Sequence, residues 1–130
     1  MANSGDFIAH VLEMMQPAGR ATAGAMFGGH GLYVDGMIVA IVVDDTLYLK
    51  TDQETRGAFV ARGLLPFRYR SRRGDVEMAG YYQPPDEVLE GPDAMREWLR
   101  LALAAALRHA NRKPARARKA PATKPPRGGS

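Results

Sequence analysis

The run "MIVAIVV", Met37–Val43, narrows the folds open to this chain more than any other segment. Alternate side chains of a strand point to opposite sides of its sheet. A strand-length run that is apolar at every position must therefore be covered on both faces, which places it in the interior of a sheet. Turn signals bracket it. Asp35-Gly36 precedes it and has the form of a tight hairpin, since glycine readily takes the positive φ such a turn needs. Asp44-Asp45 follows and turns the chain into "TLYLK", where Leu47 and Leu49 alternate with Tyr48 and Lys50.

The flanking segments supply the rest of a domain. Phe7, Ile8, Val11, Leu12 and Met15 recur at helical spacing, and Pro17 is placed to end that helix. Residues 22–27 are expected to form a first strand and Leu32 to Asp35 a second. Thr51 and Glu54 have capping-box spacing, which predicts a short helix from there to about Arg62, ended by Gly63. Gly57 within it costs about 1 kcal/mol relative to alanine. A second hairpin follows, "FRYRS" and "VEMAGYYQ" around "RRGD", and Pro84-Pro85 stops it. Met95, Trp98, Leu99, Ala102, Leu103, Ala106 and Leu107 form the apolar stripe of a last helix, with Pro92 and Asp93 suited to its start. Strands joined by turns this short must be mainly antiparallel. The order predicts an α+β domain of two layers, a mainly antiparallel sheet flanked by helices, over residues 1–111.

Charge divides the chain. Of 18 Lys and Arg residues, eight lie beyond Leu101 with no acid among them: Arg108, Arg112, Lys113, Arg116, Arg118, Lys119, Lys124 and Arg127. The ten that remain face all 14 acids, so the body is mildly acidic although the whole chain carries +4. Residues 112–130, "RKPARARKAPATKPPRGGS", are expected to be a disordered basic tail, because they offer almost no apolar area to offset the entropy of ordering. The N-terminal residues lack the pattern of a secretory signal and no apolar run approaches membrane-helix length, so the expectation is a soluble, cytoplasmic protein without a membrane partner. The chain has no cysteine, which excludes disulfides and thiolate chemistry.

No motif composes an enzyme site. "FGGHG", residues 27–31, leads into a strand rather than a helix and lacks a following G-K-[ST], so it reads as a joint between strands needing glycine conformations. His30, His10 and His109 lie apart, without metal-ligand spacing. Asp44 and Asp45 are ordinary turn chemistry. No catalytic residue, cofactor or metal is expected. The stretch "RYRSRR" puts Arg68, Arg70, Arg72 and Arg73 around Tyr69, a pattern that either guards a sheet edge or contacts nucleic acid.

"MFGGHGLYVDG", the "LYLKTD" junction and the "YYQPP…VL…W" close resemble the N-terminal domain of the TfoX/Sxy competence-regulator family, over about residues 7–110. The resemblance implies a two-layer α+β domain and a connection with regulation of DNA uptake and competence genes, in which family members act with the cyclic-AMP receptor protein. It supplies no catalytic residues. Longer members continue into a helical C-terminal domain, where this chain has the basic tail; members often carry basic residues before "MFGG", where this chain has Ala23, Gly24 and Ala25. The leading expectation is a non-enzymatic regulatory or adaptor module that works through contacts with a protein partner, a transcription regulator or part of the transcription machinery, the tail adding weak, non-specific affinity for nucleic acid. The alternative is a nucleic-acid-binding protein that uses the tail and residues 68–73; an enzyme acting on a small molecule stands third.

Nucleic-acid binding is expected to fall with a log–log salt slope of about −6 if Arg112, Lys113, Arg116, Arg118, Lys119, Lys124 and Arg127 all engage phosphates, at roughly −0.9 each. Truncation after Asn111 should remove most of it. Unchanged affinity and slope across a salt series would transfer the contact to Arg68, Arg70, Arg72 and Arg73.

Overall fold

The computed structural model describes residues 5–26 and 28–117. Helix α1 (Gly5–Met15) buries Ile8, Val11 and Met15 along one stripe. Pro17 ends it as expected, and the chain passes through a 3-10 turn at Gln16–Ala18. Four antiparallel strands follow: β1 (Ala21–Met26), β2 (Gly29–Val34), β3 (Met37–Val43) and β4 (Thr46–Lys50). Helix α2 (Arg56–Ala61) precedes a hairpin of β5 (Pro66–Ser71) and β6 (Gly74–Tyr82). A 3-10 turn at Asp86–Leu89 leads into α3 (Pro92–Ala117). The six strands lie in the order β1-β2-β3-β4-β6-β5, every neighbouring pair antiparallel. The fold is α+β and two-layered, as the sequence predicts.

Strand β3 sits in the interior between β2 and β4, with Val39, Ala40 and Val42 fully buried. Helices α1 and α3 cover the face that presents Leu32, Val34, Ala40, Val42, Leu47 and Leu49. Met95, Leu99 and Ala102 of α3 are fully buried there. Trp98 is 6% exposed and meets Phe59 edge-on at 5.0 Å, joining α3 to α2. Helix α2 closes in a Schellman motif: the Leu64 N–H donates to the Phe59 carbonyl and the Gly63 N–H to that of Val60.

The two turns around β3 are of the hairpin kind. Asp35 and Gly36 take φ of 50° and 85°, and Asp44 and Asp45 take 53° and 55°. Left-handed backbone at both central residues matches the twist of two-residue hairpins, and aspartate tolerates it better than most side chains.

Three boundaries differ from expectation, each for a physical reason. Strand β2 begins at Gly29 rather than Leu32, so Gly29, His30 and Gly31 are ladder residues and not a loop. Close approach explains the first glycine: a Cβ on Gly29 would overlap the Val42 carbonyl oxygen of β3. Helix α2 begins at Arg56, and the capping box from Thr51 to Glu54 does not form. The Thr51 hydroxyl donates instead to the Ala79 carbonyl at 2.6 Å, and its N–H to that of Gly80 at 2.8 Å, because β4 pairs with β6 there. Helix α3 runs to Ala117, past the tail boundary expected at Asn111. Apart from Pro114, residues 112–117 are arginine, lysine and alanine, residue types of high helix propensity. The remaining tail residues, including Arg118, Lys119, Lys124 and Arg127, lie outside the described residues.

Gly29→Ala is expected to lower the unfolding free energy by about 1–3 kcal/mol through overpacking. Gly57→Ala, where an added carbon meets nothing within 4 Å, should raise it by about 0.4–1 kcal/mol. Urea titrations of the two variants check both signs.

Candidate functional site

The face of the sheet turned away from the helices carries the most distinctive chemistry of the molecule. Residues paired across antiparallel strands share a face. Gly31 pairs with Ile41 and Ile41 with Tyr48, and these fall opposite the residues that face the helices. Ile41 is 6% exposed yet stands apart from the helix-side core. Its cover comes from neighbouring side chains on the open face. Tyr48 meets Phe67 edge-on at 4.9 Å, and Phe67 stacks on Tyr69 at 6.0 Å. Tyr69 and Met78, the latter paired with Phe67, remain exposed beside them.

Lys50 and Tyr81, paired between β4 and β6, lie on the same face, with the ammonium 5.3 Å from the ring centroid. Burial pushes the Lys50 pKa down, and the Asp52 charge partly opposes this. Burial pushes Tyr81 up, with a smaller contribution from Tyr33. Tyr33 itself crosses the small residues of β1 and β2: carbons built on Gly24 and Gly31 would lie 3.7 and 3.3 Å from its ring. Burial, then the Asp44 charge, raises Tyr48. Tyr48 and Tyr81 stay neutral at physiological pH, as apolar bodies with hydroxyl tips.

A polar junction anchors the far end of β4. The Asp52 carboxylate accepts the N–H groups of Glu54 and Thr55 at 3.0 and 3.1 Å through Oδ1. Arg108 of α3 donates to both of its oxygens, Nε to Oδ2 at 2.6 Å and Nη2 to Oδ1 at 3.0 Å. The Arg108 hydrogen bonds above all hold the Asp52 carboxyl well below the usual carboxylate range; desolvation opposes them, and the two amides and the guanidinium charge add to them. Arg56 Nε donates to the Ala79 carbonyl at 3.1 Å, which secures the irregular part of β6 beside α2.

The arginines singled out in the sequence divide into separate groups. Arg68 pairs with Glu77 at 2.9 Å and Arg70 with Asp75 at 3.7 Å, across the β5–β6 hairpin. Their strand is a sheet edge, where charge discourages foreign pairing. Arg72 and Arg73 form the tip of that hairpin. Arg112 lies at the other end of the molecule's charge pattern, on α3, beside a recess lined by Asp52, Glu54 and Arg56. His30 is a ladder residue of β2. Among the described residues, no three His, Asp or Glu side chains group closely enough to hold a metal, and no helix is long and apolar enough to cross a membrane.

Sequence reasoning overlooked the open face as a unit. Its signal was present in the alternation of Phe67 and Tyr69 with Arg68 and Arg70, and of Tyr48 and Lys50 with Leu47 and Leu49. The Asp52–Arg108 pair had none, since 56 positions separate its members.

These features define a two-layer α+β domain with its helices on one side and an aromatic sheet face on the other. The family model of the TfoX N-terminal domain matches residues 13–106, and the chain belongs to that family. A search of the curated proteins finds no match.

The depressed Asp52 pKa stabilises the folded state above the ordinary carboxyl value of about 3.8, and that contribution is lost progressively as pH falls below it. Asp52→Asn should therefore lower the urea midpoint at neutral pH. The gap from the unsubstituted chain should narrow as pH falls below about 4. A gap that stays constant through the acid range would show that the carboxylate charge is immaterial to the junction.

Proposed function

We propose that the chain is a non-enzymatic regulatory module of the TfoX type, which acts by docking a protein partner of the transcription apparatus on the helix-free face of its sheet. The observation that carries this reading is the Tyr48–Phe67–Tyr69 run continuing into exposed Met78. Aromatic residues and methionine are enriched in protein interfaces, and tyrosine offers large contact area at low entropic cost. The family supplies the regulatory context. By the family's role, the regulated genes would be those of competence and DNA uptake, and the site of action the cytoplasm.

A second, auxiliary reading gives the basic C-terminal residues weak affinity for nucleic acid. The cation excess beyond Leu101 favours it, although Arg108 is already engaged by Asp52 and Glu54.

Deletion of the chain in its host should alter transcription of DNA-uptake genes. Complementation with the double variant Tyr69→Ala/Met78→Ala should fail to restore them. Both side chains are exposed, so thermal unfolding should stay near that of the unsubstituted chain. Loss of a tyrosine hot spot of this kind weakens partner binding by roughly 30-fold or more. Full complementation by the double variant would remove this face from the function.

A further inference from the structure

The two edges of the sheet are treated differently by the sequence. Edge strand β5 contains Pro66, which lacks a donor, and the charged side chains Arg68 and Arg70. Edge strand β1 reads "ATAGAM" and has no charge and no proline. It is also regular, paired residue for residue with β2 from Ala21↔Val34 to Met26↔Gly29. An edge of this kind is a template for another strand.

The hydrogen-bond phase of β1 shows which groups it offers. The Asp35 N–H donates to the Arg20 carbonyl at 2.9 Å, and the Arg20 N–H donates to Asp35 Oδ1 at 3.0 Å. Arg20 and Asp35 thus form a hydrogen-bonded pair, and in an antiparallel ladder such pairs recur at every second residue. Thr22, Gly24 and Met26 therefore turn their backbone groups toward β2, and Ala21, Ala23 and Ala25 turn theirs outward. Gln16 Nε2 reaches the Ala21 carbonyl at 3.3 Å, which agrees with that direction and leaves this oxygen a second lone pair.

We propose that β1 pairs antiparallel with β1 of a second copy of this chain, about a two-fold axis at Ala23. The outward set is symmetric about Ala23. In that register Ala23 faces Ala23 of the second copy, and Ala21 faces Ala25, so every outward N–H and C=O finds a partner. The helix-side seam is then alanine throughout, and on the open face Thr22 meets Gly24. Ala23 and Ala25 are exposed, which leaves the centre and far half of β1 open to approach, whereas Ala21 is buried beside α1 at the near end. The charge pattern permits a second copy in this register. Arg20 falls opposite exposed Met26 of the other chain, and the two Arg20 side chains lie at opposite ends of the seam, roughly 20 Å apart at about 3.4 Å per residue. The interface is short, which places the dimer in the weak, concentration-dependent class.

The test uses the full chain. Sedimentation velocity from micromolar to millimolar concentration should show a monomer–dimer equilibrium. Ala23→Lys and Ala23→Glu each put like charges face to face at the axis and should weaken dimerisation by roughly tenfold or more. Mixing the two variants should restore it as a heterodimer. Ala25→Pro deletes an outward donor while sparing the β2 ladder and should act like either charge variant, with thermal unfolding as the check on folding. A monomer at every concentration overturns the proposal and leaves β1 to a strand of some other protein. Dimerisation of Ala23→Lys as strong as that of the unsubstituted chain, or no rescue on mixing, overturns it equally.

Discussion

Seven consecutive apolar residues give β3 hydrophobic surface on both sides, and a single layer of helices can cover one. The remainder of the architecture answers that inequality. On the helix side, Val39, Ala40 and Val42 lie under α3 and lose all contact with solvent. On the other side no second layer exists among the described residues, yet Ile41 is almost as well shielded. Tyr48 from β4 adjoins it, and Tyr33 from β2 lies across Gly24 and Gly31. The glycines and the tyrosine are thus one device: small residues leave room on the sheet, and a long aromatic side chain fills it. Covering β3 from within its own face concentrates aromatic area there, and the surface that results is suited to contact.

Electrostatics follows the same economy of parts. Asp52 joins the end of β4, the turn before α2 and the body of α3 through one carboxylate. Arg108, first of the eight terminal cations, is thereby structural rather than a free part of a basic surface. Arg68 and Arg70 of the β5–β6 hairpin are likewise paired with acids of β6. A calculated pI of 9.7 does not describe the folded body, because its 14 acids outnumber its ten bases up to Arg100 and the cation excess lies beyond Leu101.

The fold was legible where one local rule decided an element. The β3 run, the Asp35-Gly36 and Asp44-Asp45 turns and the Trp98 stripe each carry their own periodicity or turn chemistry, and all lie where that chemistry puts them. Errors arose where a distant partner overrode the local rule. Thr51 has the spacing of a cap but is claimed by β6, so Asp52 satisfies the turn amides instead. Gly29 looked like a loop residue because glycine's need here is room for the Val42 carbonyl, not freedom of φ. The open face was hidden for a related reason. Its members come from β2, β3, β4, β5 and β6, and only the strand order brings them together.

The sheet edge and the open face bear on each other through geometry. Seven strand intervals separate β4 of one copy from β4 of the other across a β1 seam. At about 4.8 Å per interval, the two Tyr48 clusters would stand roughly 30–35 Å apart on one continuous surface. A partner small enough to cover one cluster would then bind twice, independently. A partner that is itself two-fold, or long enough to span the seam, would bind both at once, and its second contact would form at a high effective concentration. Under that arrangement a weak edge pairing suffices, because the bivalent partner and the seam stabilise each other: occupation of both faces favours the dimer by the same factor that dimerisation favours occupation. The plain alanine seam and the modest aromatic cluster are consistent with a device in which neither contact has to be strong alone.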